Sequence, residues 1–115
     1  MRIVGGEWRG RPIDSPKGRD VSRPTTDRVR EAIASMLESA LPEGIEGSRV
    51  LDAFAGSGAL GLEVLSRGAE HAVFFDLDRS AAALVRRNLA KLSCAPARFQ
   101  VMCGDVIASA RRGRV

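Results

Sequence analysis

Tyrosine is absent from this 115-residue chain, histidine occurs once (His71) and cysteine twice (Cys94 and Cys103). With one imidazole and no Cys-x-x-Cys pair, neither a zinc site nor a disulfide framework is supported, so no metal is expected and both cysteines read as buried thiols. Long apolar runs are missing too: none approaches the roughly 18 residues that span a bilayer. Met1-Arg2-Ile3-Val4-Gly5-Gly6 lacks the apolar stretch and cleavage site of a signal peptide. The expected location is therefore cytoplasmic, without a membrane partner. Ser57 lacks both the spacing of a nucleophile elbow and a supporting His–Asp pair, which sets serine-hydrolase chemistry aside.

What is present fits one small globular domain: 44% hydrophobic and 28% charged residues, with 12 Gly and 5 Pro. The net charge is +4, and its placement says more than its size. Residues 1–30 hold eight basic side chains (Arg2, Arg9, Arg11, Lys17, Arg19, Arg23, Arg28, Arg30) against four acidic ones, and the remainder is balanced at ten against ten. Clustered guanidinium groups gain free energy by releasing counterions from phosphates, so this segment is expected to face a polyanion, with Arg2, Arg9, Arg11 and Arg28 as contacts. Trp8 carries two readings: stacking on an unpaired base, or pinning the segment to the domain. The Arg86-Arg87 and Arg111–Arg114 clusters read as solvated helix face and tail.

Three zones follow along the chain. Residues 1–24 alternate short β-prone pieces (Arg2–Val4, Glu7–Arg9, Arg11–Ile13) with glycine turns, predicting a small ribbon. In residues 25–47 Thr25 or Thr26 can cap a helix from about Asp27. Val29, Ile33, Met36/Leu37 and Ala40 give that helix an apolar face, and Pro42 ends it before a linker. Residues 48–115 alternate strand and helix: strand 49–54, helix 59–67, strand 72–76, a helix capped by Asp78 or Ser80, strand 99–102, and the start of a further helix at Val106. Nearly continuous apolar strands joined by helices predict a doubly wound parallel α/β sheet covered on both faces.

Gly56-Ser57-Gly58-Ala59-Leu60-Gly61 fits G-x-G-x-x-G after a strand and at the start of a helix, with Asp76 twenty positions beyond Gly56. Glycines there permit a tight turn and close approach of a ligand, and an acid at the end of the second strand suits ribose hydroxyls. A nicotinamide dinucleotide and S-adenosylmethionine compete for such a site. Asp52, four residues before Gly56, favours the second: a carboxylate at the floor of the loop attracts an ammonium and repels a pyrophosphate. A purely capping role for Asp52 stays open. Asp105, at the end of the third strand, is placed to accept from an adenine amine.

The run Val50-Leu51-Asp52-Ala53-Phe54-Ala55-Gly56-Ser57-Gly58-Ala59-Leu60-Gly61-Leu62-Glu63 resembles motif I of class I S-adenosylmethionine-dependent methyltransferases, implying a Rossmann-like fold. Arg2-Ile3-Val4-Gly5-Gly6, Arg9-Gly10-Arg11 and Arg23-Pro24-Thr25-Thr26-Asp27-Arg28-Val29-Arg30-Glu31 closely resemble the RsmD family, which methylates the exocyclic N2 of a guanine in small-subunit ribosomal RNA. The resemblance implies that Asp52 and the loop Ala53, Phe54, Gly56, Ser57 and Gly58 hold the methionine part of the cofactor. Asp76 with Leu77 would take the ribose and Asp105 the adenine, with Arg23, Thr25 and Thr26 alongside. It also implies that the N-terminal ribbon faces RNA, in free rRNA or an assembling small subunit. The family's ribose position is usually Glu, one methylene longer than Asp76.

One departure bears on the chemistry. The family's Asn/Asp-Pro-Pro-Tyr/Phe motif does not occur in these 115 residues, so no catalytic residue is assigned. Without a fourth strand Val50–Phe54 is expected to form an open edge, predicting that the chain is the N-terminal part of such a sheet, completed by further residues or by another copy. An RNA- or cofactor-binding module without turnover, and a nicotinamide-dependent oxidoreductase fragment, are the alternatives.

Overall fold

A computed structural model describes residues 1–15, 27–53 and 55–111. Helix α1 (Asp27–Ala40) precedes strand β1 (Arg49–Asp52), helix α2 (Ala59–Ser66), strand β2 (His71–Asp76), helix α3 (Arg79–Lys91), strand β3 (Phe99–Cys103) and helix α4 (Val106–Arg111). The strands form one parallel sheet in the order β1-β2-β3, with Asp52 in register with Phe74 and Asp76 with Cys103. The expected strand–helix alternation is therefore observed. The first strand ends at Asp52, two residues short of expectation, and Phe54 lies outside the described residues.

Both crossovers advance across the sheet in one direction, and right-handed connections then put α2 and α3 on the same face. Leu62 and Leu65 of α2, Val85 and Leu89 of α3, and Ala72 and Phe74 of β2 share the core there. Coverage of the opposite face is partial among the described residues: Phe75 there is 1% exposed, whereas Leu51 is 46% exposed and Gln100 in its row is exposed as well. Within those residues β1 pairs with β2 alone, which is the open edge expected of Val50–Phe54.

The N-terminal segment departs from a regular ribbon. It makes a single antiparallel bridge, Arg2 with Pro12, and Glu7–Arg9 is a turn instead of a strand. Gly6 and Gly10, at φ of 81° and 82°, reverse the chain on either side of it. This closed loop packs over α2 and α3 through Ile3, Trp8 and Ile13, all buried. Trp8 is 5% exposed, with the Arg98 guanidinium 5.5 Å from its ring centroid. Of its two readings, pinning is the one observed.

α1 starts at Asp27 as expected, but only part of its apolar stripe turns inward: Ile33 and Leu37 are half-buried, with Leu37 against the core. Arg30 and Ala34 are its buried residues, whereas Val29 and Met36 are exposed. Arg30 is held inside by the buried Glu63 carboxylate, 3.6 Å from its Nε, while its Nη2 donates to the Arg2 carbonyl at 2.5 Å and to exposed Asp27 Oδ1 at 2.6 Å. The two thiols also part company. Cys94 is buried, while Cys103 is exposed because it closes the outer strand β3. Among the described residues no helix is long and apolar enough to cross a membrane, and no cluster of metal-ligating side chains occurs.

Candidate functional site

The strand ends carry three carboxylates, each held by main-chain N–H groups. Asp52 Oδ2 accepts from Gly61 N at 3.3 Å across the first turn of α2, so the capping role left open for this residue is real. Asp76 Oδ2 accepts from Gly56 N at 3.1 Å and its Oδ1 from Asp78 N at 2.9 Å. Asp105 Oδ1 caps α4, accepting from Ile107 N at 2.9 Å and Ala108 N at 3.3 Å. Such charge-assisted bonds to loop and helix-start amides hold each carboxylate in place before any ligand arrives.

The glycines divide by what surrounds them. A Cβ on Gly58 would stand 3.2 Å from both Val85 methyls, and one on Gly61 would lie 2.4 Å from Phe74 Cε2. These two serve close helix–strand packing. Gly56 (φ 58°) and Gly104 (φ 157°) face open space. Both are bonded to one residue: Gly56 N to the Asp76 carboxylate and Gly104 N to the Asp76 carbonyl at 2.9 Å. The result is a cradle open to one side at the ends of β1 to β3, with Asp76 between two unobstructed glycines. Leu77, 70% exposed, stands at its rim.

Of the predicted cofactor positions, the structure brings Asp52, Ala53, Gly56, Ser57, Gly58, Asp76, Leu77 and Asp105 to the same end of the sheet. Arg23, Thr25, Thr26 and Phe54 lie outside the described residues. Of the predicted RNA contacts, Arg2, Arg9, Arg11 and Arg28 are all exposed. Arg11 Nη2 donates to the Lys91 carbonyl at the end of α3, 2.8 Å away. Asp78 caps α3 through Ser80 N at 2.9 Å, and this bond holds its carboxyl below the usual range.

Three buried polar residues hold the N-terminal segment, one of them also the glycine loop, and escaped the sequence reading. Glu63, fully buried on α2, accepts from Val4 N at 3.0 Å, Gly5 N at 2.8 Å and Arg67 Nε at 3.1 Å, with Arg30 Nε 3.6 Å away. Ser66 accepts from Trp8 N at 2.9 Å and donates to the Gly5 carbonyl at 2.6 Å. Asn88 ties the N-terminal segment to the glycine loop: it accepts from Asp14 N at 2.8 Å and donates to the carbonyls of Asp14, 3.1 Å, and Ser57, 2.9 Å. A signal did exist for Asn88, a lone amide on the apolar stripe of Leu84, Val85, Leu89 and Leu92.

This parallel α/β unit, with a glycine loop after β1 and acids ending successive strands, has the fold of class I methyltransferases. The family profile described as "Conserved hypothetical protein 95" matches residues 1–113. The chain is 45% identical over 98 residues to "Ribosomal RNA small subunit methyltransferase D" of Escherichia coli K12, spanning 85% of the chain and 47% of that protein. Another protein of that name, from Haemophilus influenzae, is 41% identical over 104 residues, 89% of the chain and 50% of that protein. The solved structure of a Thermus thermophilus hypothetical protein superposes with a TM-score of 0.80 at 33% identity, covering 98% of the chain and 60% of that structure. The chain belongs to this methyltransferase family, the RsmD family expected from its N-terminal motifs. It spans about half the length of the curated relatives it matches.

Proposed function

We propose that this chain forms the cofactor-binding part of an S-adenosylmethionine-dependent methyltransferase acting on the exocyclic N2 of a guanine in small-subunit rRNA. The observation that carries the reading is the Asp76 cradle, where one residue bonds two strand-end glycines, Gly56 and Gly104, that have open space beside them. The residues present suit a cationic nucleoside. Asp76 would accept the ribose hydroxyls and Asp105 the adenine amine. Asp52 would stand beside the ammonium of the methionine part, where its charge would disfavour the pyrophosphate of a nicotinamide dinucleotide.

When bound, the cofactor supplies a methyl group activated on a sulfonium, so the protein's task is placement and exclusion of water. The loop amides orient the carboxylates, and the N-terminal segment presents Arg2, Arg9 and Arg11, with Arg28 on α1, to phosphates of the RNA. No residue of this chain is assigned to the target amine, since the Asn/Asp-Pro-Pro-aromatic run does not occur in it. Binding of cofactor and RNA without turnover by these 115 residues alone is accordingly the expected behaviour.

Calorimetry with S-adenosylhomocysteine and with NAD tests the proposal. Binding of the first and not the second is expected, and Asp52→Lys should abolish it. Tight NAD binding without uptake of the homocysteine compound would overturn the reading in favour of an oxidoreductase fragment. Tritiated methyl transfer into small subunits lacking the modification then separates an enzyme from a binding module.

A further inference from the structure

We propose that the RNA-contact surface continues from the N-terminal segment onto α3, where Arg87 and Lys91 are two further phosphate contacts for which the Asp14 carboxylate is a placeholder. The inference rests on the RNA reading above and extends it to a helix face that sequence alone assigns to solvent.

The guanidinium of Arg11 lies against the last turn of α3, with Nη2 2.8 Å from the Lys91 carbonyl. One helical turn separates Arg87 from Lys91, so the two share a face, and both reach the same carboxylate. Lys91 Nζ is 3.0 Å from Asp14 Oδ1, and Arg87 Nη1 is 3.9 Å from Asp14 Oδ2. Two cations thus share one anion, and with Arg11 beside them the patch keeps a net positive charge. All three basic side chains are exposed. A phosphate presents the same paired oxygen acceptors as a carboxylate, so an RNA backbone crossing from Arg11 would meet cations already aimed at an oxyanion.

Neighbouring basic residues are occupied otherwise. Arg86 turns to the Val101 carbonyl at 3.2 Å. Arg98 donates to Glu7 and to the carbonyls of Leu65 and Ala69. Arg67 is bonded to Glu63. The division selects Arg87 and Lys91 from the basic residues of this region. Asn88 holds the Asp14 main chain at both its N–H and its carbonyl, bonds that do not involve the Asp14 side chain.

The test is binding of a small-subunit rRNA stem-loop to the 115-residue chain, by fluorescence anisotropy over a salt series, with the emission of buried Trp8 as the control for a docked N-terminal segment. The R87A/K91A pair should weaken binding roughly tenfold and flatten the salt dependence by about one to two phosphate contacts. Asp14→Asn should tighten binding about threefold, a gain that structural damage does not produce. Arg86→Ala, equal in charge change to either single substitution but directed at β3, should stay within about twofold of the wild type. Wild-type affinity in R87A/K91A, with loss in R9A/R11A, overturns the α3 extension and leaves the RNA reading standing. Wild-type affinity in both pairs removes the RNA reading itself. A loss in Arg86→Ala equal to that in the single variants R87A and K91A would show a net-charge effect and also overturn the extension.

Discussion

The side-chain amide of Asn88 donates to the main-chain carbonyl of Ser57 at 2.9 Å, joining the middle of the glycine loop to a helix that belongs to the next crossover. The same amide brackets Asp14, so the loop and the N-terminal segment share one fully buried tie. Asn88→Asp keeps the shape but turns two donated bonds into carboxylate–carbonyl repulsion. A loss of about 2–4 kcal/mol is expected from urea midpoints, together with a red shift of Trp8 emission. An unchanged midpoint would show that the tie carries nothing.

Glu63 is the second such node, a fully buried carboxylate between Arg30, Arg67 and the amides of Val4 and Gly5. Removing it leaves the buried Arg30 without its interhelical counter-charge. Glu63→Ala should destabilise by about 3–5 kcal/mol and free the N-terminal segment, read as faster hydrogen exchange at the Val4 and Gly5 amides. Protection equal to the wild type would refute it.

Gly61 stands where α2 crosses β2, with space for hydrogen only: an added Cβ would lie 2.4 Å from Phe74 Cε2 and 3.2 Å from Asp52 Oδ2. Gly61→Ala should lower stability by about 1–3 kcal/mol and displace Asp52, weakening cofactor uptake. Gly56→Ala should act through its positive φ alone, at about 1 kcal/mol. A thermal midpoint lower for Gly56→Ala than for Gly61→Ala would contradict this division.

Cys103 and Cys94 should report the site and the core separately. Alkylation is expected to modify exposed Cys103 quickly, and S-adenosylhomocysteine should slow that reaction, because Cys103 is in register with Asp76. Labelling unaffected by a saturating ligand would place the ligand elsewhere.

Burial pushes the Cys94 thiol above its ordinary value of 9.0. The unfolded thiol ionises first as pH rises, so this contribution to stability is complete below that value and declines above it. Urea midpoints of the wild type should therefore fall more steeply on the alkaline side than those of Cys94→Ala.

The order of elements, the glycine loop and its acids were legible in the chain because they are local. Alternating apolar runs, a capping Asp78 and a G-x-G-x-x-G after a strand depend on neighbours within a few residues. Composition and motif alone likewise pointed to the family, and the arginines at 2, 9, 11 and 28, proposed to meet RNA, are exposed. Pairing across long sequence separations was decided only by the tertiary structure. Arg30 is inside because Glu63, 33 positions away, offers it a charge, which shifts the buried line of α1 to Arg30 and Ala34 and leaves Val29 and Met36 of its apolar stripe exposed. Asn88 is buried because it satisfies both Ser57 and Asp14. Cys103 is exposed because β3 is an outer strand of the described sheet, and no local pattern in a five-residue run distinguishes an outer strand from a central one.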